Sequence, residues 1–220
     1  EVPLVFDVAL HVGTLCVVVV AFRRDIIEIF KALYKRDFKS EEGKLALYLV
    51  LGSIPTALIG FLFHDVFQLL FNSTLAVGGA LMITGFILYL SKLRKDGKQL
   101  DFLDSLLIGI AQGVAIAPGI SRSGITLSTG FLRRVKKEVV FRYSFLLSIP
   151  AVIGATVMES KDLVVGELDM VGLLFGVVVS MVVGYLSLKL LLKIVLKEKF
   201  HLFAYYCWIV GLTTIILSIF

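Results

Sequence analysis

The chain has 220 residues, of which 58% are hydrophobic and 18% charged, and a formal net charge of +5. A soluble domain carries about 25% charged residues and a helix needs about 20 apolar residues to cross a bilayer, so this composition supplies about six crossings and excludes a soluble enzyme, a disordered chain and a nucleic-acid-binding domain as leading classes. The two cysteines, Cys16 and Cys207, both lie in apolar runs and exclude a disulfide scaffold.

Apolar stretches run over 4–22, 45–63, 74–90, 102–117, 143–158, 170–192 and 202–220. They are continuous, where a β-barrel would alternate, so they predict helices. Lys and Arg crowd the segments between them at 23–44, 92–98, 133–142 and 189–199; 64–73 has none and 159–169 has only Lys161. The basic segments are assigned to the cytoplasm. The segments on either side of 102–132 are then on one side of the membrane. Residues 102–132 are therefore expected to enter, turn at Pro118–Gly124 and leave again, a re-entrant hairpin. The fold expected is all-α and polytopic, one transmembrane domain with six crossings plus that hairpin and both chain ends outside.

The run Phe6-Asp7-Val8-Ala9-Leu10-His11-Val12-Gly13 and the run from Phe141 to Ser148 each open three crossings, and the two sets run in opposite directions. This is the layout of an inverted-topology repeat, with halves 1–92 and 101–220, which places a site near the midplane between them. Only the second half has a hairpin. Its counterpart is expected upstream of Glu1.

Charge at membrane depth is costly and points to function. Arg122 is the only Arg or Lys from Asp104 to Phe131. Ser121, Ser123, Thr126 and Ser128 surround it, and Gly119 and Gly124 bracket the turn. Glycines let backbone N–H groups approach a ligand, a helix N-terminus favours an anion, and arginine's fork suits phosphate. Gly119, Ser121, Arg122, Ser123, Gly124 and Thr126 are the expected phosphate-binding set, with Arg122 and Ser121 as catalytic candidates. The competing reading has Arg122 pairing with a carboxylate or carbonyls and only pinning a helix break.

The motif Pro118-Gly119-Ile120-Ser121-Arg122-Ser123-Gly124, followed by Ile125 and Thr126, resembles the signature of the undecaprenyl-diphosphate phosphatase family associated with bacitracin resistance. Ile108-Gly109-Ile110-Ala111-Gln112-Gly113 before it and Tyr143-Ser144-Phe145-Leu146-Leu147-Ser148-Ile149-Pro150 after it fit as well. So do Gly52-Ser53-Ile54-Pro55, Gly60, Phe63, His64 and Asp65. The resemblance covers essentially the whole chain. It implies a multi-pass enzyme of the bacterial plasma (inner) membrane that converts undecaprenyl diphosphate to the monophosphate and inorganic phosphate, recycling the carrier for cell-wall synthesis. It also implies a divalent cation, Mg or Ca, and makes Arg122 the phosphate clamp with Ser121, Ser123 and Thr126 beside it. The family's earlier Glu-x-x-x-Glu and Pro-x-Ser-Ser-x-Gly-His motifs are not within these residues. They are expected upstream of Glu1, so that this stretch alone carries an incomplete, inactive site whose metal ligands are unknown. The partners expected are a polyprenyl diphosphate and membrane lipid, with no nucleic acid and a homo-oligomer left open. The alternative is a transporter or flippase for a lipid phosphate or other anion.

Other polar residues weigh toward structure. Asp7 and His11, at i, i+4, read as a hydrogen-bonded pair near the outer boundary. Gln112 reads equally as glue between helices or ligand support. His64 and Asp65 read as a solvated helix end, and His201 as a solvated loop residue. Pro55 and Pro150 read as kinks. Trp208, Tyr205 and Tyr206 read as packing or interface anchors, and the acidic loop 159–169 as solvated.

Overall fold

The computed structural model describes residues 4–93, 97–159 and 170–219. Arg94, Lys95 and nearly all of the expected acidic loop 159–169 lie outside the described residues.

Helix α1, Leu4–Ala21, forms the first span. The chain then bends by 73° into α2, Arg23–Tyr34. Hydropathy alone reads this stretch as a loop, but it is an amphipathic helix. Ile29 and Ala32 are buried while Arg23, Arg24, Glu28 and Lys31 are exposed, the pattern of a helix lying along a membrane interface. Helix α3, Glu41–Leu62, is capped by Ser40, whose hydroxyl accepts the Gly43 N–H, and Glu41 and Glu42 sit in its first turn against the helix dipole. A second expected loop also holds a helix, α4, His64–Phe71. It meets α5, Thr74–Leu90, at 105°. Then come α6, Phe102–Val114; α7, Arg122–Leu132; α8, Lys137–Glu159; α9, Met170–Leu196; and α10, Phe203–Ile219. Among the described residues four helices qualify as spans alone by length and hydropathy, and up to six do when each bent pair counts as one. This is the expected polytopic all-α architecture. Its outer surface is apolar: Val171, Leu174, Phe175, Val178 and Val182 of α9 are all exposed, which suits lipid rather than water.

The basic segments meet on one face. Arg142 Nε lies 2.5 Å from Asp25 Oδ1, and Lys137 Nζ lies 3.0 Å from Glu198 Oε1. Lys98 and Val135 form an isolated parallel bridge, with Lys98 N–H donating to the Arg134 carbonyl at 2.7 Å and Lys136 N–H to the Lys98 carbonyl at 3.0 Å. This bridge ties the start of α6 to the end of α7. The two helices are about 20 and 16 Å long at 1.5 Å per residue, short of the roughly 30 Å hydrocarbon core. Segment 102–132 is therefore a helical hairpin whose two ends meet and whose arms are each too short to cross.

The hairpin is at the centre of the packing. Helix α6 lies along α3, and α7 lies between α5 and α8. Helix α5 pairs with α10, while α1 packs on α8 and α9. The α3–α6 crossing is so close that a Cβ on Gly109 would collide with the Gly52 carbonyl oxygen. Small residues are what let membrane helices approach so far. Buried polar groups reinforce the crossing: the Tyr143 hydroxyl donates to the Tyr48 carbonyl at 2.8 Å and pairs with Ser105 Oγ at 2.8 Å.

Candidate active site

The hairpin tip is a turn over residues 115–121, three residues earlier than expected: α7 already begins at Arg122, so Ser123 and Gly124 are helical. Ser121 is the N-cap, and its hydroxyl accepts the Gly124 N–H at 3.2 Å. That leaves the N–H groups of Arg122 and Ser123 at the positive end of the helix. Gly119 has φ +83°, a left-handed conformation that glycine adopts freely. A Cβ there would also collide with the Val77 carbonyl oxygen of α5. The buried Thr84 of α5 holds the turn from both sides: its hydroxyl donates to the Gly119 carbonyl at 3.1 Å and accepts the Ser121 N–H at 3.4 Å.

Beside this tip lies a cavity of about 250 Å³. Its polar lining is Arg122 and Ser123 from α7, Thr14 from α1, Ser148 from α8 and Ser187 from α9. Val17, Val18, Phe145, Val152, Leu188 and Leu191 give it an apolar wall. Arg122 is exposed to this space, and its Nη1 donates a long hydrogen bond to the Ser148 carbonyl at 3.5 Å. Ser148 is two residues before Pro150, which has no N–H to give to the carbonyl four residues back, that of Leu146. Gln112 donates to the neighbouring Leu147 carbonyl at 3.2 Å. Both donors thus reach carbonyls of the α8 turn that precedes the proline.

Of the six expected phosphate-binding residues, Arg122 and Ser123 line the cavity. Gly119, Ser121 and Gly124 shape the turn and cap behind it. Thr126 is fully buried, bonded to the Arg122 carbonyl at 2.9 Å and to Ser144 Oγ at 2.5 Å. Thr14, Ser148 and Ser187 join the site from three other helices, and the sequence offers no motif for Thr14, Ser187 or Thr84.

Asp7 and His11 are on α1, ahead of Thr14. The bond between them runs from the His11 Nδ1 to the Asp7 carbonyl at 2.9 Å and not to its carboxylate. His64 starts α4 and is exposed, with Nδ1 3.2 Å from Asp65. His201 lies in a single 3-10 turn, Phe200–Leu202. Trp208 donates to the Met82 carbonyl at 3.3 Å and its ring packs against Tyr89 and Tyr205, so it fastens α10 to α5. Pro55 and Pro150 both lie inside continuous helices.

Among the described residues no three His, Cys, Asp or Glu side chains gather as a metal site. The cavity lining carries no carboxylate. Mg and Ca ask for oxygen ligands, carboxylates above all, so this lining does not fit a resident divalent cation.

Residues 1–213 match the family described as Bacitracin resistance protein BacA. An undecaprenyl-diphosphatase of Methanosphaera stadtmanae is 40% identical over 237 residues, covering 100% of this chain and 86% of that protein. One from Halothermothrix orenii is 41% identical over 219 residues, with 96% and 82% covered. One from Carboxydothermus hydrogenoformans is 39% identical over 227 residues, with 99% and 84% covered.

Proposed function

We infer the activity from two premises: the chain belongs to the Bacitracin resistance protein BacA family, and its polar cavity suits a phosphate at the end of an apolar chain. The activity is that of an undecaprenyl-diphosphatase. It hydrolyses undecaprenyl diphosphate to undecaprenyl phosphate and inorganic phosphate and so recycles the lipid carrier for cell-wall synthesis. The chain is a multi-pass membrane protein, and its residence in the bacterial plasma (inner) membrane is part of the proposal.

The observation that carries the site is the grouping of Arg122, the open N–H groups of α7 and three hydroxyl-bearing helices around one cavity with apolar walls. In hydrolysis the bond between the terminal phosphorus and the bridging oxygen breaks, and water's oxygen ends on that phosphorus. Charge spreads over the terminal oxygens and the leaving phosphate as this happens, and catalysis rests on positioning and neutralising it. Among the described residues Arg122 commits only Nη1, so the rest of its fork is free to meet those oxygens. The N–H groups of Arg122 and Ser123 add fixed dipoles. Ser121 holds the helix start in the geometry that aims them. The apolar wall from α1, α8 and α9 receives the first prenyl units. A divalent cation stays in the proposal only as a companion of the diphosphate's own oxygens.

The inverted repeat is likewise part of the proposal. Exchanging α1 with α8, α3 with α9 and α5 with α10 turns the α1–α9 contact into the α8–α3 contact and returns the α5–α10 and α1–α8 contacts to themselves. This correspondence supports two halves of opposite direction meeting at the cavity.

The test is phosphate release from a polyprenyl diphosphate in detergent with Mg, comparing the natural full-length protein with Arg122→Ala. Removing one such donor costs about 10²–10³ in rate, and a loss of that size with an unchanged melting temperature is expected. An Arg122→Ala enzyme as fast as its parent would show that the arginine turn is not in the site, and an anion carrier would then be the better reading of the cavity.

A further inference from the structure

We propose that the mouth of the re-entrant hairpin binds the headgroup of an anionic phospholipid carrying one net negative charge. A second cavity, of about 360 Å³, opens there and is lined by Lys98, Leu132, Arg133 and Arg134. It shares no residue with the cavity at Arg122.

The charges in it are arranged around one buried acid. Asp104 is fully buried and holds Arg133 by its Nε at 2.8 Å and Lys98 by its Nζ at 2.8 Å. Bonding through Nε leaves the two terminal nitrogens of Arg133 as a fork uncommitted among the described residues. Lys98 also pairs with Asp101. Arg134 adds a third cation. Among the described residues, the three cations of the lining against Asp101 and Asp104 leave one net positive charge, the complement of a single phosphodiester. Leu132 gives the same cavity an apolar side, and it is exposed. The position agrees: the mouth lies where α6 and α7 leave the membrane on the basic face, so Leu132 meets acyl chain where the cations meet headgroup. Basic pockets among membrane helices on this face recognise anionic lipid in this way.

Arg134 allows a test that spares the fold. Its φ is +63°, its N–H bonds the Phe131 carbonyl at 2.9 Å, and the next N–H, of Val135, bonds the Gly130 carbonyl at 3.0 Å. This is a helix C-terminal reversal that glycine fits at least as well as arginine. Arg134→Gly therefore removes the guanidinium without straining the backbone, and Arg134 has no place in the phosphate cavity's lining.

The protein would be placed in nanodiscs of phosphatidylcholine, with and without phosphatidylglycerol. Melting temperature and retained lipid, the latter by native mass spectrometry, are the readouts. The wild type is expected to melt higher with phosphatidylglycerol and to retain one such lipid. Arg134→Gly should bind it about fivefold more weakly, lose most of the rise, melt no lower than wild type in phosphatidylcholine, and keep its basal phosphate release. The proposal is overturned if the wild type melts alike in both discs, or if Arg134→Gly shows the same rise. A third arm adds inorganic phosphate to phosphatidylcholine discs. An equal rise there would mean that the cavity takes a free anion, and would also overturn the lipid reading.

Discussion

Asp104→Asn removes one negative charge from the hairpin mouth and little else. The carboxylate is fully buried, while Lys98 and Arg133 are 41% and 36% exposed. Removing one partner of a fully buried pair costs about 3–5 kcal/mol. Here water screens both cations, so about half of that is expected, roughly 2 kcal/mol. For a protein of this length that is about 4–8 °C in melting temperature. Asparagine keeps the shape and can still accept the Asp101 N–H, a bond of 3.2 Å in the parent, so the capping of α6 is largely preserved. The hairpin mouth should loosen, and with it the turn that presents Arg122, so phosphate release should fall as well. The assay is thermal unfolding and phosphate release in detergent, run as a double-mutant cycle with Arg133→Gln. In the Asp104→Asn background, Arg133→Gln should cost much less than in the parent. If Asp104→Asn melts within about 1 °C of the parent, or the two substitutions add, the buried carboxylate does not hold the hairpin closed and the reasoning fails.

Arg122→Lys keeps the charge and loses the fork, so it should recover little of the rate lost in Arg122→Ala; a lysine enzyme near parental speed would mean that a point charge suffices. Gly119→Ala meets both a left-handed backbone and the Val77 carbonyl, so it should destabilise by at least about 1–2 kcal/mol and lower activity through the displaced turn, read by melting temperature and phosphate release; an unchanged protein would contradict the tip geometry. Arg36 follows α2 at φ 54°, so Arg36→Gly should stabilise by up to about 1 kcal/mol, and a lower melting temperature would count against it. Hydrogen bonding to Lys98 holds the Asp101 carboxyl below its ordinary value, and bonding to Asp101 holds the Lys98 ammonium above its own. Asp101's contribution is present above about pH 3.9 and lost as pH falls through its folded value, and Lys98's is present below about 10.4 and lost as pH rises through its own. Hydrogen-exchange protection of the first turn of α6 should therefore hold between those limits and drop beyond them; a drop near neutrality would break the link to this pair.

Hydropathy and loop charge are enough to find the crossings and the hairpin, because lipid tolerates few alternatives. The same reading misses α2 and α4. A search for continuous apolar runs sees spans, whereas α2 shows itself only through the helical spacing of Ile26, Ile29, Phe30 and Leu33 among charges. The hairpin turn falls earlier than the motif suggests because Ser123 and Gly124 read as turn residues, whereas Ser121, one residue before Arg122, is the helix cap. Asp104 escapes a count of Lys and Arg alone, although it organises the cations at the hairpin mouth. For Asp7 and His11 the spacing is informative and the bonded atom is not, since a histidine can reach the carbonyl four residues back as easily as a carboxylate.

The site itself divides along one physical line. Arg122 is legible because a guanidinium at membrane depth has a high cost and so needs a reason. Thr14 and Ser148 are not, because a hydroxyl on a helix can satisfy itself. The Thr14 hydroxyl donates to the His11 carbonyl at 2.9 Å and the Ser148 hydroxyl to the Phe145 carbonyl at 2.7 Å. A residue that closes its own hydrogen bond costs little wherever the helix puts it, so its presence in an apolar run carries no signal. Thr84 differs in using its hydroxyl across 35 residues of chain, on Gly119, and only the packing of α5 against the hairpin tip brings the two together. A charge therefore marks where a membrane site is, and the hydroxyl-bearing residues around it become visible only once the helices that carry them are packed together.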